Sequence, residues 1–199
     1  MADISYFRLP EMKSEIEAII KEKEEKNAAQ RYLINETWEP VDTSNRYGLL
    51  YQIENNGKTI TKSKEPSLIN IIRGKTILEN GIWNFLLKFD EIGSDREEYE
   101  GVGFAVLCSS CFGRCGLYDE GGIYVSTDGQ IFVDEEKYQD SLPRFDKGDT
   151  LELTLNQLSK TVIFSAKNTK VVVPWKKCED RAFLCACFRY SGWKLSILS

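Results

Sequence analysis

The sequence predicts a mainly β protein: an antiparallel β-sandwich with an N-terminal α-helix. Three observations predict it. Beyond residue 38, apolar and polar residues alternate at period two in many short runs. Tight-turn signals separate several of those runs. No helical pattern intervenes between them, so parallel strands with helical crossovers are not indicated. The organisation read from this is a helical segment over residues 1–37 and a sandwich domain over residues 38–199.

The helix is predicted over residues 11–36, a stretch without Gly or Pro that begins just after Pro10. Met12, Ile16, Ile19 and Ile20 recur at helical spacing and share one face. Glu17 precedes Lys21 by four and Glu22 precedes Lys26 by four, an orientation that supports a helix. The apolar stripe breaks near Lys23 and Lys26 and resumes with Ala29, Tyr32 and Leu33. A sustained coiled coil wants at least three clean heptads, and these are not present. A helix packed on its own domain is one reading; a short coiled-coil-like helix for self-association or for docking a partner is the other.

The strands follow in order. Asn55-Asn56-Gly57 separates runs at 49–53 and 59–62, and Asp128-Gly129 separates runs at 123–127 and 130–133. Trp83, Phe85, Leu87 and Phe89 fall on one face of a strand, with Asn84 and Lys88 on the other. Leu151, Leu153 and Leu155 alternate with Glu152, Thr154 and Asn156. Val162 with Phe164, then runs at 171–173 and 183–188, and finally Trp193, Leu195 and Ile197 complete the set. Large aromatics at period two fill sandwich cores, so Trp83, Phe85, Phe104, Phe164 and Trp193 are expected to be buried.

Composition narrows the function. The chain has 199 residues and no histidine. That excludes Ser-His-Asp and Cys-His hydrolases, HExxH metalloproteases and any His-ligated metal site. A formal net charge of −5 lacks the footprint of a nucleic-acid binder. No apolar run approaches the roughly 20 residues of a bilayer-spanning helix. Residues 1–10 do not read as a secretory signal, so the six cysteines are expected to stay thiols in a cytoplasmic setting. Neither a dinucleotide nor a P-loop motif is present, and no cofactor is expected.

The order of segments resembles a SPRY (B30.2-like) domain. Gly81-Ile82-Trp83-Asn84-Phe85 resembles the family's glycine-led aromatic strand, and Gly101-Val102-Gly103-Phe104-Ala105 its "IGVA" strand. The run at 145–153, from Phe145 through Gly148-Asp149 to Leu153, is similar to its "F..GDxIgvxlD" segment. Lys160-Thr161-Val162-Ile163-Phe164 with Asn168, then Phe183-Leu184 and Trp193-Lys194-Leu195, resemble its closing strands. The pattern departs where Tyr99-Glu100 replace a tryptophan, and in the Cys- and Gly-rich stretch 108–122. The resemblance implies a bent, concanavalin-like jelly-roll sandwich with no catalytic centre, binding protein segments through loops at one edge. An adaptor or assembly subunit would follow.

Recognition then belongs to large or charged residues between strands. Arg96, Tyr99, Arg114, Tyr118, Arg144, Trp175, Arg189 and Tyr190 are the candidates, because Tyr, Trp and Arg dominate interface energetics. Trp175, between Pro174 and Lys176-Lys177, is expected in a partly exposed loop. Cys108, Cys111 and Cys115 have C-x2-C and C-x3-C spacing, but a closed zinc site needs a fourth ligand, so unligated thiols are the expectation and no metal is assigned. Cys185 and Cys187 share one strand face and read as small buried hydrophobes. The alternative to a protein-binding module is a carbohydrate-binding sandwich of galectin or legume-lectin type, which would need an exposed aromatic to stack on a sugar ring.

Overall fold

Strand β6 (Ile82–Glu91) is the spine of the first of two sheets. Its inward residues Phe85, Leu87 and Phe89 are buried, and each alternates with a half-buried outward neighbour, as a two-faced strand requires. The computed structural model describes residues 31–32, 35–40, 51–62, 70–93, 100–106, 121–179 and 181–198.

The first sheet runs β13 (Thr169–Pro174), β12 (Thr161–Ala166), β11 (Thr150–Asn156), β6, β15 (Lys194–Ile197), β4 (Thr59–Lys62) and β3 (Tyr51–Glu54). These pairings are antiparallel. A two-residue strand, β1 (Arg31–Tyr32), runs parallel to the start of β6. The second sheet runs β10 (Glu136–Ser141), β9 (Gln130–Val133), β8 (Gly122–Ser126), β7 (Gly101–Val106), β14 (Ala182–Phe188), β5 (Asn70–Gly74) and β2 (Trp38–Pro40), all antiparallel. One turn of 3-10 helix, Lys176–Glu179, leads from β13 toward β14.

The two inner faces form one core that includes Phe85, Phe104, Phe164, Leu153, Leu195 and Trp193. Phe85 and Phe104, from opposite sheets, meet tilted at 5.8 Å. Trp83 differs from the expected burial. It is half-buried, and its indole N–H donates to Gln157 Oε1 at 3.2 Å, so its polar edge sits at the rim of the core.

The predicted helix is corrected at its C-terminal end. Residues 11–30 lie outside the described residues, but within the predicted range Arg31–Tyr32 form a strand and Asn35–Glu36 are not helical. Tertiary pairing overrides the resumed apolar period. Strand β15 pairs with β6 only at Leu87–Glu91, leaving backbone groups beside Ile82 and Trp83 that β1 takes up. Pro40 sits in β2, at the edge of its sheet, where a missing N–H does no harm.

The sandwich has two ends. At one, β11 turns into β12 around Gln157, and Trp175 and the helical turn follow β13. At the other, β14 leaves the sheet at Arg189 and Tyr190, β8 turns into β9 at Asp128-Gly129, and β11 begins after Asp149. Gly129 has a φ of +87°, and a Cβ there would come within 2.1 Å of the Leu142 carbonyl oxygen, so this turn requires glycine.

Candidate functional site

The Arg189 end is built on one buried carboxylate. Glu100 is 1% exposed, just ahead of β7. Its Oε1 accepts the backbone N–H groups of Arg189 at 2.8 Å and Tyr190 at 3.0 Å. Its backbone carbonyl accepts the Thr127 N–H at 3.0 Å. One residue thus clamps the chain leaving β14 and the turn between β8 and β9. The family pattern has tryptophan here, and the signal available to sequence reasoning was that departure.

A second clamp acts one residue earlier. The Tyr51 hydroxyl accepts the Phe188 N–H at 2.9 Å and lies 3.3 Å from the Phe188 carbonyl, to which it donates. Burial pushes the Tyr51 phenol well above its usual pKa, so it stays a neutral donor and acceptor. Lys62 Nζ lies over the same ring, 5.1 Å from its centre. Burial pulls the Lys62 pKa down to about 8, against the opposing pull of Cys187 and Glu100. The Phe188 ring stacks on Trp193 at 4.8 Å, and Gly93 packs where a Cβ would meet the Trp193 indole nitrogen at 2.5 Å.

These supports fix a surface pair. The Arg189 guanidinium lies 5.4 Å over the Tyr190 ring, and both side chains are half-buried. Arg144 lies at the same end, exposed, with its Nε 3.8 Å from Asp128. Lys167 donates to the Arg144 carbonyl at 2.7 Å and pairs with Asp149 at 2.7 Å and Asp146 at 3.2 Å. Its pKa is raised, chiefly by the Asp149 hydrogen bond.

Three of the eight predicted contact residues, Arg144, Arg189 and Tyr190, are therefore brought to one end. Trp175 is at the other end and is fully buried, a correction to the partly exposed loop position expected for it. Its backbone N–H bonds the Lys160 carbonyl at 2.9 Å, which ties the chain down beside β12 and turns the indole into the core. Arg96, Tyr99, Arg114 and Tyr118 lie outside the described residues, as do Cys108, Cys111 and Cys115. In sequence the first two fall between β6 and β7, and the others between β7 and β8. Among the described residues no group of three or more Cys, Asp or Glu could hold a metal ion. No helix among them is long and apolar enough to cross a membrane.

Comparison with known proteins agrees with this architecture. A family model described as the CRLF3 C-terminal domain matches residues 52–198. Cytokine receptor-like factor 3 of Xenopus laevis is 25% identical over 122 residues, covering 54% of this chain; the match spans 27% of that protein's length. Solved structures share the fold, among them the following. The TRIM65 PSpry domain superposes with a TM-score of 0.59 at 15% identity, covering 85% of this chain and 94% of its own. The SPRY domain of human HERC1 gives 0.58 at 16% identity, covering 74% and 91%. A human SPRY domain gives 0.54 at 10% identity, covering 74% and 94%. The fold is that of a SPRY domain.

Proposed function

Because the chain belongs to the CRLF3 C-terminal domain family, we propose that it is a non-enzymatic interaction module that grips a segment of another protein at the Arg189 end of its sandwich. The observation that carries this reading is the Arg189–Tyr190 pair, held in place by Glu100 and Tyr51 from beneath. A backbone pinned before binding needs little further ordering when a partner arrives, and arginine and tyrosine are residue types that dominate interface energetics. The SPRY fold supports the same reading, since rigid sandwiches present connecting loops for recognition.

The proposed contact group at this end is Arg144, Arg189 and Tyr190 with Arg96 and Tyr99. Arg114 and Tyr118 are proposed as contacts at the opposite end. An adaptor or assembly role in the cytoplasm is the setting proposed for such a module. The lectin alternative gains nothing from the described residues, whose exposed large hydrophobics are Ile53, Ile77, Leu158, Val172 and Leu198, all aliphatic.

Panning a displayed peptide library on the immobilised chain tests the proposal, with a glycan array probed in parallel. Peptides should enrich. Arg189→Ala and Tyr190→Ala should weaken the selected peptides about tenfold or more, with no change in melting temperature, and Lys170→Ala on the sheet surface should leave them unaffected. Glycan binding without peptide enrichment overturns the reading.

A further inference from the structure

An antiparallel sandwich commonly leaves its outer faces polar and wet. The outer face of the second sheet is neither. Ala105, Tyr124, Phe132, Phe183, Cys185 and Cys187 share it, all under a tenth exposed, with Ile71 packed against them. Register makes the patch continuous: Cys185 faces Gly103, Gly103 faces Tyr124, and Tyr124 faces Phe132. Tyr124 and Phe132 stack at 5.0 Å. At the side nearest β2, Arg73 lies 5.5 Å over the Phe183 ring and pairs with Glu39 at 2.7 Å. Every described strand belongs to one of the two sheets, so no described strand lies over this face.

We propose that this face is the docking site of the chain's own N-terminal segment, residues 11–30, laid across the strands as an amphipathic helix. The dimensions agree. The patch crosses β5, β14, β7, β8 and β9, four strand spacings or about 19 Å, which a helix of about 13 residues spans. The segment presents Met12, Ile16, Ile19 and Ile20 on one face and charged residues on the others. A helix of this length gains most of its stability from packing its apolar face, and the sheet supplies a matching surface. The rival stretch 107–120 is closed at its base by the Val106 N–H to Gly121 carbonyl bond, which ties both its ends to one corner of the patch.

Cys185 and Cys187 report on the cover, because both thiols lie on this face and are fully buried. In the full chain both should resist alkylation, read peptide by peptide by mass spectrometry, and the backbone amides of residues 12–20 should exchange more slowly than a free coil. In the full chain carrying Ile16→Asp and Ile20→Asp, alkylation of Cys185 and Cys187 should rise about tenfold or more. Phe112→Asp, in the rival stretch, should leave it unchanged. Coil-like exchange at residues 12–20 in the unaltered chain overturns the proposal whatever the variants do. Exposure by Phe112→Asp alone assigns the cover to 107–120 and overturns it too. Protection that disappears on dilution assigns the cover to a second copy, and the proposal falls in that case as well.

Discussion

Glu100 accepts the backbone N–H of Arg189 across 89 positions of sequence, and the same oxygen accepts the N–H of Tyr190. A buried carboxylate thereby sets the path of the chain that carries the proposed contact pair. Glu100→Ala removes a buried charged acceptor shared by two part-buried N–H groups, so it should lower stability by about 2–4 kcal/mol. Glu100→Gln keeps an oxygen in place and should lose less. Urea unfolding with an unchanged slope would measure both. The alanine variant should also weaken peptide binding, although Glu100 itself is covered.

Trp175 separates the two roles from the other direction. It is fully buried in the core, so Trp175→Ala should lower stability by about 3–5 kcal/mol through a large cavity. Arg189→Ala, at a half-buried surface position, should leave the melting temperature unchanged while weakening binding. A Trp175→Ala protein with wild-type stability would contradict the placement of this side chain.

The contrast between these residues shows what the sequence carried. Period two named the strands whose two faces differ, so β6, β11 and β12 were legible from Phe85, Leu153 and Phe164. Glycine-marked turns were legible at Asn55-Asn56-Gly57 and Asp128-Gly129. The hairpin between β9 and β10 was not, because it turns on Asp134 and Glu135 at positive φ without a glycine. Strand β10 itself is largely exposed and polar, and β1 and β2 exist only through their partners β6 and β5. At the candidate site, Arg189 and Tyr190 were visible as residue types. Glu100 showed only as a departure from the family's tryptophan, and Tyr51 and Lys62 not at all, since a buried polar residue has no local pattern; only the folded chain brings Tyr51 to Phe188.

Glu36 works at the opposite end as Glu100 does here. It is fully buried, and its Oε1 accepts the N–H groups of Thr37, Lys75 and Thr76 at 2.9, 2.8 and 3.1 Å. It pins the residues preceding β2 to the connection between β5 and β6. Glu36→Ala should cost about 2–4 kcal/mol and speed amide exchange at Lys75 and Thr76. Gly74→Ala should act at the same place, because its Cβ would sit 3.1 Å from the Glu36 carboxyl carbon and 3.2 Å from Leu184 Cβ.

Lys62 makes stability depend on pH in an unusual window. Its folded pKa, pulled down by burial to about 8, lies below the ordinary 10.5 that the unfolded chain would show. Between those values the unfolded state binds more protons than the folded one, so stability should rise with pH from about 8 upward. Below that window both states are protonated, and the folded state carries the full burden of a buried cation. Tyr51 limits the rise at high pH: its folded pKa is raised, so the unfolded chain ionises first and stability falls again once free tyrosine titrates. Lys62→Met should therefore stabilise the protein at neutral pH and flatten the upward slope, leaving the alkaline fall. Urea midpoints measured from pH 7 to 11 on both proteins would show it; an unchanged slope in the variant would remove Lys62 as its source.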